Sequence, residues 1–479
     1  MMEIDCATEV KDVWSSPSKI SMHSVAKNLV RPVDIGPLVA LRVAFGLLMA
    51  ASMVRFMLRG WVAELYVQPS YHFTYAGFGW IRPLPPAGMW LVFIILAVLG
   101  LTITAGFLTR ISLAAFFLLF TYVELIDKAY YLNHYYFVSL FSFLLIFLPL
   151  GGAWSLDGRL TQCQQSDRSL NKKSQILQIT QIKNLVNLRN LLINSQRSQT
   201  VPAWMVWLVR LQLGLVYFFA GVAKINADWL LNAQPLTIWL HARTSTPLIG
   251  TLFDQPWLPL AMSWAGMLFD VTIPFWLSWR KTRLWAYTAV LIFHGLTGLL
   301  FNIGMFPWIM IACTLVFFDW RIPGRAAQRP LPNQKHPSFW QASVLALFFL
   351  IQLLLPLRHW LYPGKVNWTE EGVRFAWRVM LVEKTGQVTF FVRDVATGAE
   401  WLVLPADFLT DQQEKQMSFQ PDMIVQFAHF LAEQYPQAVE VRAEAFVSWN
   451  GRPSRLLIDP TINLAAANAD WHPRAYILK

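Results

Sequence analysis

PAWMVWLVRLQLGLVYFFAGVAKINADW, Pro202 to Trp229, decides how the whole chain is read. From Pro202 to Val222 the one charge is Arg210, and at about 1.5 Å per residue the run is long enough to cross a bilayer as a helix. It ends on Lys224, so an amine sits at a membrane boundary, half out of water. Two readings of that lysine compete. It snorkels to the headgroups, as lysines near helix ends commonly do. Alternatively, apolar surroundings disfavour its protonated form and leave the amine usable as a base.

The rest of the chain has the same character. Of its 479 residues 55% are hydrophobic, 15% aromatic and only 14% charged, which excludes an ordinary soluble protein. Apolar runs lie at 36–57, 89–108, 111–126, 134–153, 202–222, 257–279, 284–301, 303–318 and 339–361. The fold class expected is mainly α, a polytopic membrane protein with about nine transmembrane helices, eight being possible, plus a small α+β extramembrane domain at the C-terminus. The run at 111–126 is short for a ~30 Å core and those at 284 and 303 adjoin, so either is a candidate re-entrant segment.

A net charge of +11 invites a nucleic-acid partner, but its distribution points to topology instead and no nucleic acid is expected. Every second connection is basic: Lys27 and Arg31 precede the first span, Arg110 follows the second, Lys172 and Lys173 follow the fourth, Arg280 and Lys281 the sixth, Arg325 and Lys335 the eighth. The positive-inside rule then assigns residues 1–35 to a cytoplasmic segment and 36–362 to the transmembrane domain, with a cytoplasmic loop at 155–200. Residues 363–479 form a domain on the outer face, periplasmic or lumenal. No cleavable signal peptide is evident, and the first span serves as insertion signal. Cys6, Cys163 and Cys313 give no disulfide framework, the first two being cytoplasmic and the third within a span. Residues 161–200 either lie along the inner membrane surface as an amphipathic stretch or form a poorly ordered connection.

In the C-terminal domain, runs at 387–393 and 401–404 flank Thr397-Gly398, and runs at 439–449 and 454–458 flank Asn450-Gly451, the sequence of a hairpin. A helix is expected between them at 421–434. No metal spacing or nucleophile motif occurs there, so chemistry belongs to the membrane region.

Within the spans, Arg42 and Asp270 are expected to pair as a structural bridge, since intramembrane charges seek partners. His294 lies in LIFHGLTGLLFNIGMFPW, where Gly295, Gly298 and Gly304 leave room for close helices or a flat ligand. It reads either as a hydrogen-bonded core histidine or as a ligand contact. Asn133 and His134 open the fourth span; Asn133 suits a helix N-cap, while His134 suits proton transfer or a hydrogen bond to a phenolic oxygen. The topology gathers His134, Lys224, Asn302 and His359 near the outer face, among aromatics. Such a site fits a flat, amphipathic ligand such as a quinone.

In four ordered segments the chain resembles the vitamin K-dependent γ-glutamyl carboxylase family, grouped by its HTTM domain. They are YLNHYYFVSLFSFLLIFLP, YFFAGVAKINADWL, FHGLTGLLFNIGMFPW and LPLRHWLYPGKVNWTEEGVRFAWRVML. The resemblance implies an enzyme that oxygenates reduced vitamin K, a naphthohydroquinone, to its epoxide and couples this to proton removal from glutamate Cγ and capture of CO2. It implies O2 and CO2 as co-substrates, no metal, and Lys224 as the base with Asn133 and His134 at the active site. His294, Asn302, Met305 and His359 are then the expected cofactor contacts, and Arg243 and His241 the expected partners of a substrate carboxylate. Glutamate C–H is far too weak an acid for an amine, so in the family's mechanism the lysine deprotonates the hydroquinone and oxygenation generates the stronger base in a dry pocket. Asp228 would oppose a neutral Lys224 if the helix continued, so the helix is expected to break near Asn226.

Ala223 stands where relatives often carry a second lysine, and the C-terminal domain is short beside animal carboxylases. The chain therefore looks like a bacterial inner-membrane member without propeptide docking. Its implied partners are the lipid bilayer, a glutamate-containing peptide or protein and a quinone reductase supplying reduced cofactor. Two alternatives stay open: a quinol epoxidase without glutamate carboxylation, and a non-catalytic quinone or lipid carrier.

Overall fold

The computed structural model describes residues 27–160, 199–301, 303–320, 329–330, 336–468 and 473–479. Asn302, Cys6, Cys163 and the stretch 161–198 lie outside the described residues. Among those described, seven helices are long and apolar enough to cross a membrane. They are α1 (Gly36–Leu58), α2 (Pro86–Ala105), α3 (Thr109–Ile126), α5 (Ala203–Ala223), α6 (Trp257–Ser278), α7 (Arg283–Leu300) and the helix Phe339–Leu361, whose regular part is α9 (Phe339–Leu354). Local sequence marks their ends. Pro37 and Pro86 occupy first-turn positions where a missing N–H costs nothing. Ser338 and Gln341 close α9 with a reciprocal capping box.

Two apolar runs give shorter helices, α4 (Asn133–Ile146) and α8 (Phe306–Cys313), the latter extended by a tighter turn to Phe317. At about 1.5 Å per residue neither reaches across a ~30 Å core by itself. Their flanking segments complete the path. After α4, Pro149 and two glycines break the helix, and the chain runs on to Asp157, whose Oδ1 accepts from Leu108 N (2.7 Å) in the α2–α3 turn. After α8, Asp319 reaches Arg283 Nη1 (3.1 Å) at the start of α7. Both short helices thus join the same two ends of the bundle.

Arg42 and Asp270 do not pair. Arg42 is fully buried and its guanidinium caps the broken stretch after α4, donating to Leu150 O (2.8 Å), Ala153 O (3.1 Å) and Trp154 O. The carbonyls released by Pro149 and the glycines are its partners, and they lie at the opposite end of the bundle from the residues Asp270 meets. Beside them a small sheet joins β1 (Pro32–Asp34), β2 (Gln199–Pro202) and β3 (Arg329–Pro330).

At the other end sits an α+β unit. Its sheet has the order β5-β4-β6-β7, from β4 (Lys384–Asp394), β5 (Glu400–Val403), β6 (Val439–Trp449) and β7 (Arg455–Leu456). The turns at Gly398 and Asn450-Gly451 carry the positive φ values that such tight connections need. Helix α10 (Asp411–Met417) leads to α11 (Pro421–Glu433), whose face of Ile424, Phe427, Ala428 and Leu431 is fully buried on the sheet. That core also takes in Phe73 and Ala129 from the bundle's connections. Two ion-paired seams hold the parts together. Asp422 meets Lys128 (2.8 Å) and Arg374 (2.7 Å), and Asp228 meets Arg452 Nη2 (2.5 Å) and Asn450 Nδ2 (3.2 Å).

Candidate functional site

Helix α5 carries Tyr217, Ala220, Gly221 and Lys224 at the spacing that puts them on one face. Side chains lean toward the N-terminus of their helix, so a lysine at a C-terminal end naturally points back into the bundle. Lys224 does this. Its Nζ donates to Ala220 O (3.2 Å) and to Asp270 Oδ2 (2.7 Å), and only 6% of the residue is exposed. It does not snorkel outward. Trp229 closes over it, with Nζ 5.4 Å from the ring centroid.

Asp270 reaches this position because α5 and α6 touch at a glycine. A Cβ on Gly221 would stand 2.6 Å from Val271 Cγ2 and 3.0 Å from Asp270 Cβ. Only hydrogen leaves room for that approach.

The helix breaks where the sequence expects. Lys224 is the C-cap of α5, and Asn226 caps a short following turn, its Oδ1 accepting from Trp229 N (3.0 Å) while its Nδ2 donates to Ala223 O (3.0 Å). The break turns Asp228 away from Lys224 and toward the β6–β7 hairpin. Burial pushes the Asp228 carboxyl up, but hydrogen bonds from Arg452 and Asn450 hold it below its usual value.

Lys224 and Asp270 border a cavity walled by aromatics, among them Trp229, Phe293, Phe301 and Phe306. His294 stands in the wall, 2% exposed. Its Nε2 is 2.8 Å from Tyr217 OH and its Nδ1 is buried without a partner among the described residues. An orphaned ring nitrogen, an amine and flat apolar walls are what a naphthohydroquinone would use, so the residues present fit that group.

Val379 and Met380 also border the cavity. They end a segment that enters the bundle from the α+β side: Phe375, Trp377 and Met380 all have positive φ, and Trp377 is buried in the bundle core. Three such residues in six positions store strain, which fixed packing must offset. Asn133 braces this segment. It is the first residue of α4 but does not cap it; Oδ1 accepts from Tyr131 OH (3.1 Å) and Nδ2 donates to Arg378 O (3.2 Å), next to Val379.

His134 stands one ring away from the cavity, since Phe306 lies 6.0 Å from His134 and 6.0 Å from His294, centroid to centroid. Met305 packs against the bundle core beside Phe306. The other expected residues are elsewhere. His359 is half-buried, with Nδ1 2.9 Å from Pro356 O. His241 is exposed and bonded to Thr237 O (2.7 Å), and Arg243 follows it in the connection to α6. None of these three borders the cavity.

Sequence reasoning missed Asp270 as the partner of Lys224, Tyr217 and the 375–380 segment. Tyr217 was legible, lying two helical turns before Lys224. Asp270 was not, because its partner depends on which helices adjoin.

Residues 30–171 and 170–321 match the family model of the HTTM domain, and residues 338–479 match that of the vitamin K-dependent gamma-carboxylase, lumenal domain. No solved structure matches the chain.

Proposed function

The chain belongs to the vitamin K-dependent gamma-carboxylase family, and from that membership we propose that it is a membrane enzyme coupling oxygenation of reduced vitamin K to carboxylation of peptide glutamate. The observation that carries the proposal is Lys224, turned inward at the head of an aromatic cavity and held 2.7 Å from Asp270. A carrier of quinones needs the cavity alone and has no use for a buried, positioned amine.

In this reading Phe293, Phe306 and Trp229 hold the naphthohydroquinone ring, with His294 and Lys224 at its oxygens. When bound, reduced vitamin K would supply the electrons for oxygen and the driving force for removing a glutamate Cγ proton. The reactive form is the one in which Lys224 is the neutral amine, and in that form Nζ accepts a phenolic proton. Asp270 then stabilises the ammonium that forms, by a charge-assisted hydrogen bond in a site shielded from water. Tyr217 fixes the ring of His294, and its bond to Nε2 leaves Nδ1 to face a ligand. Asn133 holds the backbone that carries Val379 and Met380, so it positions the wall and stays out of the proton transfer. In this reading, which the basic connections support through the positive-inside rule, the N-terminus is cytoplasmic and the α+β unit lies on the outer face, where a peptide substrate arrives and a quinone reductase in the same membrane renews the quinol.

The test is turnover by purified protein in lipid, given a reduced naphthoquinone, labelled bicarbonate and a glutamate peptide. Epoxide and labelled peptide are expected together in wild type and neither in Lys224→Ala, with quinone binding retained. Epoxide without labelled peptide would reduce the function to a quinol epoxidase. Quinone binding with neither product would leave a carrier. Removing Lys224 strands a buried carboxylate, so Lys224→Ala/Asp270→Asn serves as the control for folding.

A further inference from the structure

The expected carboxylate partners, Arg243 and His241, stand outside the cavity that Lys224 borders. Another cation is better placed. Arg55 is in the last turn of α1 and half-buried, with its guanidinium 5.4 Å from the centroid of Trp61. Stacking on an indole occupies the face of a guanidinium and leaves its N–H edge free. Among the described residues the Arg55 side chain makes no hydrogen bond or ion pair, and its Nε is buried and unsatisfied. A buried donor left unpaired beside a cation is costly, and a ligand that accepts from it would remove that cost.

His134 faces the same point. It is 7% exposed and, among the described residues, its ring nitrogens are also unbonded. A methyl group placed on Gly304 would lie 3.9 Å from Arg55 Nη2 and 3.9 Å from His134 Nε2. The glycine, at φ +61°, keeps open the space on which the two nitrogens converge. The position beside Gly304 is bordered by two polar nitrogens, whereas the cavity beside Lys224 is aromatic, and the Phe306 ring lies 6.0 Å from each of His134 and His294, centroid to centroid.

We propose that Arg55 and His134 seat the side-chain carboxylate of the peptide glutamate, in a compartment separated by Phe306 from the one that holds the quinol. This rests on the carboxylase reading for the identity of the ligand, but the anion site itself does not. Arg55 donates to the carboxylate through its free edge, His134 Nε2 supplies a second donor, and the glutamate Cγ is thereby directed toward Phe306 and the cavity beyond. Two neighbouring seats allow both substrates to be present at once, as a coupled reaction requires.

Binding can be measured without turnover. Full-length protein in lipid nanodiscs is titrated with a short glutamate peptide and with its glutamine counterpart. Wild type is expected to bind the glutamate form at least tenfold more tightly, Arg55→Gln to lose that preference while binding quinone as before, and Arg55→Lys to keep part of it. An unchanged preference in Arg55→Gln overturns the proposal. A measurement on wild type covers the case in which the variant does not fold: phenylglyoxal modification of Arg55, followed by mass spectrometry, should be slowed by the glutamate peptide and not by the glutamine one. Protection by bicarbonate alone, equal to that by the peptide, would assign the seat to the other co-substrate and overturn it. Absence of labelled product in wild type would count against the carboxylase reading and leave both binding results standing.

Discussion

Lys224 and Asp270 are each nearly inaccessible to solvent and are separated by 2.7 Å, so removing either leaves the other as a buried group without its partner. Lys224→Ala alone is expected to destabilise the protein by about 3 kcal/mol, and the double variant with Asp270→Asn by less than the sum of the two singles. Thermal unfolding of the four proteins of the cycle checks this. If Asp270 acts by stabilising the ammonium, Asp270→Asn should lower kcat roughly 100-fold while the KM for quinol changes little; an equal rise in KM would mean that Asp270 shapes the cavity instead. Lys224 was conspicuous in the sequence because a cation at the end of an apolar run needs explaining. Asp270 was just as conspicuous, yet the sequence pointed to Arg42 as its partner, the other intramembrane charge that interrupts an apolar run. The distinction came from Gly221, an ordinary residue until its neighbour across the helix pair is known.

The α5–α6 contact is therefore the element on which the site depends. Gly221→Ala would drive a methyl group to 2.6 Å from Val271 Cγ2, and overpacking of this kind typically costs about 1–3 kcal/mol. Parting the helices should also stretch the Lys224–Asp270 contact, so the variant is expected to lose activity more steeply than stability, as a parallel measurement of turnover and unfolding temperature would reveal. Asn226→Ala removes the cap of the turn that carries Trp229 and should cost about 1 kcal/mol. Most elements were legible: all nine apolar runs contain helix, and both hairpins of the α+β unit lie about their predicted turns. The lengths of α4 and α8 were not. Hydropathy continues past Ile146 and Cys313, and only hydrogen bonding distinguishes an apolar helix from an apolar stretch that has left it. The entry of residues 375–380 into the bundle was equally hidden, because left-handed backbone at Phe375 and Trp377 has no sequence signature.

Between the bundle and the α+β unit, Asp422 is buried against Lys128 and Arg374. Burial pushes its carboxyl up, but Arg374, Lys128 and Arg474 overcome this and hold it well below its usual value. Burial beside Arg374 brings the Lys128 amine down to about 8 even though Asp422 opposes the shift. A carboxylate whose folded value lies below the unfolded 3.8 contributes fully above that pH, and its contribution is lost as the pH falls toward the folded value. Asp422→Asn should accordingly lower stability at pH 7 by roughly 3 kcal/mol, and the gap from wild type should close on acidification below pH ~4. Thermal melts across pH would show it. No reading of the sequence joins a connection at residue 128 to a helix that begins at residue 421, since contacts of that span are settled by packing. Arg42 raises a similar matter of distance along the chain, with a consequence for biogenesis. Helix α1 carries a guanidinium whose acceptors, the carbonyls of Leu150, Ala153 and Trp154, are synthesised more than a hundred residues later. Insertion cannot then be completed one helix at a time. Nascent chains halted near residue 130 should expose α1 to quality-control proteases, and chains released past residue 158 should not.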